Sequence, residues 1–291
     1  MKEIIVIVGP TGVGKTRLSI ELAKKIDAEI INGNSVSIYK KLDIGSAKPT
    51  IEEQQIIKHH LIDIKDLEDE YSVYNYQKDV REKIKDLNNQ NKRIIIVGGT
   101  GLYIKAALYD YRFTKEEIKN DYSKLTNEEI LEKIKRYDID EYPNINNRQR
   151  LERLLNKLEN NCEITNYKDK CLYNIKVIGL TTPRENLYKI INNRVDKMIN
   201  NGLINEVKEL KKYYDKSRIL NTAIGYKEFI DYFENKKTIE ETIEEIKQNS
   251  RRYAKRQYTF FKHQFNCKWF EIDLNNFNNT IEEVYKYIKE A

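Results

Sequence analysis

The chain has 291 residues, 34% of them charged, and its 52 Lys and Arg against 46 Asp and Glu give a formal net charge of +6. That length buries a sizeable core and suits one large domain with a smaller one inserted, or two domains. Hydrophobic residues at 40%, with 21 Tyr and 8 Phe, exclude a disordered chain, while the small basic excess permits a nucleic-acid partner without requiring one.

The β-branched run 4–8, stopped by Gly9-Pro10, reads as a buried first strand and is too short for a signal peptide or a membrane span. A helix is predicted over 15–26, with Leu18, Leu22 and Ile26 on one face, and a short strand over 28–31. Residues 61–64 form a possible third strand, 74–87 a helix, 93–97 a strand stopped by Gly98-Gly99, and 175–180 a further strand. Strands alternating with helices predict an α/β fold: a P-loop NTPase-like three-layer core built on a mostly parallel sheet. The middle departs from this pattern. Residues 114–140 are charged and helical in pattern, 147–159 form a basic helix with regularly spaced leucines, 184–214 and 239–265 are helical, and the Asn-rich 275–279 reads as a loop. The expected organisation is a core over 1–113, a helical insertion over 114–145, a return to the core over 146–190, and a helical region over 191–291. Cys162, Cys171 and Cys267 form no C-x-x-C pair, which suits a reducing, cytoplasmic setting and argues against zinc.

Gly9-Pro10-Thr11-Gly12-Val13-Gly14-Lys15-Thr16 fits G-x-x-x-x-G-K-[ST], with a strand entering and a helix leaving as that motif requires. Its glycines let backbone N–H groups converge on phosphate oxygens, Lys15 adds a point charge, and the Thr16 hydroxyl suits Mg²⁺. A P-loop hydrolase places an Asp at the end of a second apolar strand. Here the strand 93–97 ends in Gly98-Gly99-Thr100-Gly101-Leu102-Tyr103, with no acid to position a hydrolytic water. The cradled diphosphate therefore reads as a leaving group or handle. Asp63 is either an indirect metal partner or a strand-end cap.

Several blocks in order resemble the tRNA dimethylallyltransferase (tRNA isopentenyltransferase) family: GPTGVGKT at 9–16, NSVSIYKKLDIGSAKP at 34–49, HHLIDI at 59–64, YSVYNY at 71–76, IIIVGGTGLYIKAAL at 94–108, RQRLERLL at 148–155, RVDKMINNGLINEV at 194–207, AIGYKE at 223–228 and RRYAKRQYTFF at 251–261. The resemblance spans nearly the whole chain. It implies a monomeric, cytoplasmic enzyme that moves the prenyl group of dimethylallyl diphosphate, with Mg²⁺, onto N6 of the adenosine 3′ of the tRNA anticodon. The donor's diphosphate then fills residues 9–16, and Lys15, Thr16 and Asn34 carry the catalysis. The target nucleotide meets Asn34, Ser35, Val36, Ser37 and Thr100. The tRNA meets Gln149, Arg150, Arg153, Lys255, Arg256 and Gln257, with the insertion and the C-terminal helices as tRNA-binding parts.

Arg148, Arg150 and Arg153 form one basic cluster at helical spacing; Arg251, Arg252, Lys255 and Arg256 form another, interleaved with Tyr253, Tyr258, Phe260 and Phe261. Basic side chains grip phosphates and aromatic planes stack on splayed bases, although such clusters also occur as solvated helix faces and such aromatics as core. Arg184 and Arg194 are read as solvated helix-face residues, with closure over the phosphates as the alternative. Thr100 also suits a helix N-cap.

The family carries Asp where this chain has Asn34, and Gln where it has Ser37. That Asp is regarded as the general base for N6, and an amide takes no proton at neutral pH. Three readings stand: Asn34 aims N6 through its carbonyl while the proton leaves to water or diphosphate; Asp43 swings in; or transfer is slow or lost. Rivals are a P-loop small-molecule kinase, an enzyme that prenylates free adenine nucleotides, and a tRNA-binding relative with weakened catalysis.

Overall fold

The computed structural model describes residues 2–113, 120–139, 142–162 and 170–290. It divides into two compact units, Met1–Tyr109 with Cys171–Ala291, and Asp110–Lys170.

In chain order the first unit holds β1 (Ile4–Val8), α1 (Lys15–Ile26), β2 (Ala28–Asn32), α2 (Ile51–Ile56), β3 (His59–His60), α3 (Val73–Asn89), β4 (Arg93–Val97) and α4 (Gly101–Leu108). The second unit contributes α5 (Asn127–Ile134) and α6 (Arg148–Glu159). The first unit then resumes with β5 (Ile175–Thr181), α7 (Arg184–Asn200), α8 (Leu203–Leu210), a 3-10 turn at Lys211–Tyr213, α9 (Phe229–Phe233), α10 (Ile239–Gln264), β6 (Cys267–Glu271) and α11 (Phe277–Glu290).

Six strands pair in the order β3-β2-β4-β1-β5-β6, every pairing parallel. Strand side chains alternate between faces, so β1 divides its run between two cores. Ile4, Val6 and Val8 pack with Ile31, Ile94, Ile96, Val177 and the α3 residues Val80 and Ile84. Ile5 and Ile7 pack with Ile30, Ile95, Ile178, Leu180, the α1 residues Leu18 and Leu22, and the α11 residues Ile281 and Val284. A β1 apolar on both faces belongs at the centre of a parallel sheet sandwiched by helices, which is the expected three-layer α/β fold.

Two local expectations are corrected, and one strand was not anticipated. The third strand is only His59–His60, because Leu61 and Asp63 adopt left-handed φ of 62° and 55°. Asn32 Nδ2 holds the Leu61 carbonyl at 2.9 Å, and the chain then runs beside 37–39, with Asp63 N–H on the Ser37 carbonyl at 3.2 Å. Residues 277–279 lie in a helix rather than a loop. Asp273 accepts from the Asn275 and Asn276 amides at 2.9 and 2.8 Å, which closes a turn and launches α11 inside the Asn-rich run. β6 carries charged residues on a sheet edge and so lacked a strand signature.

The second unit is helical, and its limits correct the expected boundaries. Leu151, Leu155 and Leu158 of α6 bury against Ile130 and Ile134 of α5 and against Tyr122. Helix α6 therefore belongs to the insertion, and the chain returns to the core at Cys171 rather than at 146. Arg148 donates to the carbonyls of Tyr122 and Leu125 and pairs with Glu152, which ties it to this small core. No helix among the described residues is long and apolar enough to cross a membrane.

Candidate active site

The C-terminal ends of β1, β2 and β4 meet at one edge of the sheet, linked by Gly33 N–H to the Val97 carbonyl at 2.7 Å and Gly98 N–H to the Ile7 carbonyl at 3.2 Å. Ligands of open parallel sheets bind at this edge. The segment between β1 and α1 is the glycine-rich cradle. Gly9, Gly12 and Gly14 take φ of 139°, 92° and 83°, values closed to most L side chains, and Gly14 is the N-cap of α1. The first turn of α1 has no acidic residue and Gly14 no capping side chain, so its amides and dipole face an anion unopposed. Val13 is fully buried and anchors the loop in the core. Thr16 opens the helix, and its hydroxyl takes no hydrogen bond from the other described residues.

Lys15 curls onto the loop, with Nζ 3.0 Å from the Gly9 carbonyl and 2.7 Å from that of Pro10. Burial and the nearby Arg194 guanidinium lower its pKa to about 7. Arg194, on α7, donates to Thr11 Oγ1 at 2.8 Å, and burial lowers it to about 10. This corrects the solvated helix-face reading for Arg194, which instead brings a second cation to the cradle. Arg184 is exposed and bonds Tyr188 at 3.1 Å, as a helix-face arginine does.

A second loop leaves β2. Asn34 is half-buried; its Oδ1 accepts one long bond of 3.3 Å from the Val36 amide, and its Nδ2 donates to Ser37 Oγ at 3.1 Å. Asn32 fixes Asn34 from both sides, accepting from its N–H at 3.0 Å and donating to its carbonyl at 3.0 Å. Thr100 sits at the N-cap of α4, but its side chain does not cap that helix. Its Oγ1 accepts from the Ser35 amide at 3.0 Å and donates to Ser35 Oγ at 3.2 Å, so it ties the tip of β4 to the Asn34 loop. Ser37 is only 2% exposed, and Val36 is partly buried. Asp43 and Asp63 both pair with the buried Lys48 Nζ, at 2.6 and 2.5 Å. Both carboxylates are engaged by Lys48.

Gln257 joins the cradle to the tip of β4. Its Oε1 accepts from the Thr11 amide at 2.9 Å and its Nε2 donates to the Gly99 carbonyl at 2.9 Å, at 5% exposure. The aromatic members of the 251–261 cluster also turn inward: Phe261 is fully buried, Tyr258 packs on Trp269, and Tyr253 donates to the Gly99 carbonyl at 3.3 Å. Arg252, Lys255 and Arg256 stay exposed on the opposite face of α10. In the second unit Gln149, Arg150 and Arg153 are exposed on α6. Glu206 and Tyr226 lie in the blocks 194–207 and 223–228, where the sequence pattern alone assigns them no role.

A parallel sheet with a phosphate cradle after β1, two cations at that cradle and no acid at the tip of β4 defines a P-loop transferase rather than a hydrolase. A family model described as IPP transferase matches residues 37–264. The chain is 42% identical over 300 residues to the tRNA dimethylallyltransferase of Anoxybacillus flavithermus, covering 99% of this chain and 96% of that one. It is similar to the crystal structure of the tRNA delta(2)-isopentenylpyrophosphate transferase of Staphylococcus epidermidis, at 36% identity and a TM-score of 0.75, with 100% of this chain and 99% of that one covered. It is also similar to a eukaryotic dimethylallyltransferase captured acting on tRNA, at 27% identity and a TM-score of 0.78, covering 100% and 80% of the two chains. The chain belongs to the IPP transferase family and is a prenyltransferase.

Proposed function

We propose that the chain transfers the dimethylallyl group of dimethylallyl diphosphate to N6 of the adenosine 3′-adjacent to the anticodon of tRNA. The observation that carries this reading is the pairing of a two-cation cradle with an acceptor loop, joined by Thr100 and Gln257, with no acid where a hydrolase would need one. The allylic C–O bond breaks readily because the cation is delocalised, and its electron pair leaves on diphosphate. Lys15, Arg194 and the cradle amides stabilise that departing charge. The N6 lone pair forms the new C–N bond, and the N6 proton leaves to water or diphosphate. Asn34 and Ser35 aim the base, which must be flipped out of its stack to reach the site. The exposed Gln149, Arg150, Arg153, Lys255 and Arg256 grip the RNA backbone.

The Thr16 hydroxyl suits Mg²⁺, which binds through few protein oxygens and mostly through substrate phosphates and water. When bound, the ion offsets diphosphate charge. The working unit is a monomer.

Purified protein, Mg²⁺, dimethylallyl diphosphate and unmodified tRNA, followed by nucleoside mass spectrometry, test the reading. Prenyladenosine is expected at one site per tRNA. Labelled ATP consumed on a small acceptor, with no prenylated RNA, overturns it, and tight tRNA binding without transfer indicates a relative that lost its chemistry at Asn34.

A further inference from the structure

Three of the sequence blocks converge on a place that the reaction above does not use. Glu206, in the first turn of α8, points its carboxylate into the loop that runs from β2 to α2. Its Oε2 accepts from the amides of Asp43 and Ile44 at 3.1 and 2.8 Å, and its Oε1 from the amide of Gly45 at 3.2 Å. A fourth donor, the hydroxyl of the fully buried Tyr226, reaches Oε1 at 2.8 Å. Burial and this carboxylate push the Tyr226 phenol well above its ordinary range, so it stays a donor. Tyr226 also presses on Gly45: a Cβ there would lie 2.6 Å from its ring, so only glycine lets the two approach. Successive amides gathered on one anion make a backbone nest, and here the anion is the protein's own.

The clamped segment is the far end of the loop that begins with Asn34 and Ser35. Its near end is held by Thr100. Between the two, Ile38 and Leu42 are fully buried, and Lys48 bonds the Tyr39 carbonyl at 3.0 Å. Among the described residues, the hydrogen bonds of Glu206 and of the Tyr226 hydroxyl go to one another and to 43–45, and none goes to the cradle at 9–16.

We infer that Glu206, oriented by Tyr226, is a positioning residue for the acceptor: it sets the loop 34–48 that presents the nucleobase and leaves the donor cradle alone. The inference rests on the proposed prenyl transfer for its kinetic readout but not for its structural one. A carboxylate can accept all four bonds, whereas the isosteric amide of Glu206→Gln has one accepting oxygen and an NH₂ that repels N–H donors. Tyr226→Phe removes one donor and keeps the ring.

The test pairs amide hydrogen exchange with kinetics. In E206Q, amides 43–45 are expected to exchange at least tenfold faster, and amides 35–37 to follow, while 11–16 stay as in the native protein. The kcat for tRNA prenylation is expected to fall about ten- to a hundredfold, the scale of a misplacement near 1 Å. The Kd for dimethylallyl diphosphate is expected to stay within about twofold. Y226F is expected to move both readouts in the same direction by less, and it decides the matter if E206Q does not fold. Faster exchange confined to 43–45 with unchanged kcat would reduce the clamp to a structural brace and overturn the inference, as would loss of donor affinity in step with kcat. If the native protein prenylates no tRNA, the proposed function fails, and exchange at 35–37 alone decides the clamp.

Discussion

Affinity for an isoprenoid diphosphate is expected to fall as the pH rises from 7.5 to 9, and the fall is assigned to Lys15. In the free protein Lys15 titrates at about 7, because burial strips its water and Arg194 adds a like charge. A bound diphosphate supplies opposite charge and raises that pKa. Between the free and bound values, binding takes up one proton, and each pH unit then weakens binding tenfold, or ~1.4 kcal/mol. The ligand's own last ionisation, near about 6 for a phosphate group, is complete across this range. Arg194, lowered to about 10, remains charged through pH 9. The expected loss over that interval is therefore about thirtyfold. Isothermal titration of dimethylallyl diphosphate without tRNA, in two buffers of different ionisation enthalpy, reads both Kd and proton uptake. Uptake near zero at pH 8.5, or an unchanged slope in Lys15→Met, would refute the reasoning. Arg194→Ala removes the like charge, so the decline should begin at a higher pH even though affinity at pH 7 is lower.

Asn34→Ala is expected to lower kcat about tenfold by removing the amide that aims the base, while Asn34→Asp changes it less than about tenfold; a gain of 10² or more, the range of general-base help, would mean the native site is starved of a base. Gln257→Leu leaves the Thr11 amide without its side-chain partner and the Gly99 carbonyl with Tyr253 alone, at about 1–3 kcal/mol for an unpaired group, which denaturant unfolding should register together with a fall in kcat. Leu155→Ala hollows the small core of the second unit and should cost about 2–5 kcal/mol there. Exchange protection is expected to drop across 120–139 and 142–162 with donor Kd unchanged; a loss spread equally over the sheet would refute the assignment of Leu155 to that small core.

The central strands and α1 were legible because their pattern is local: β-branched runs stopped by glycine, and the cradle motif between them. The edge was not. β6 is a short edge run, Cys267-Lys268-Trp269-Phe270-Glu271, without regular alternation, and α11 starts in an Asn-rich stretch whose polar residues first make a turn around Asp273. Helix α6 carried a clear amphipathic pattern, but pattern alone does not say which core receives its leucines, and that core is α5. The cradle residues could be assigned from sequence for the same local reason. Arg194 could not: it lies 183 positions from Thr11, and its helix reads as an ordinary surface helix until the fold brings it over the loop. Gln257 sits in a basic, aromatic segment that resembles an RNA contact, yet both ends of its amide are engaged by the protein backbone.

The charges around the acceptor loop bear on how an amide can stand at position 34. Two carboxylates meet this loop through Lys48. Asp43 and Asp63 share the ammonium of Lys48, whose side chain is 3% exposed, and moving either one away would leave that buried cation with one carboxylate and the Tyr39 carbonyl. A third carboxylate, Glu206, is saturated by four donors. A proton shed by N6 therefore meets no uncommitted carboxylate among these three to receive it. It does have the departing diphosphate, which gains basicity as the allylic bond breaks. A loose transition state makes the N6 proton acidic only after most of the new bond has formed, when that acceptor is already in place. The two-cation cradle would then serve both leaving-group stabilisation and proton disposal, and the acceptor loop would need only to aim the base.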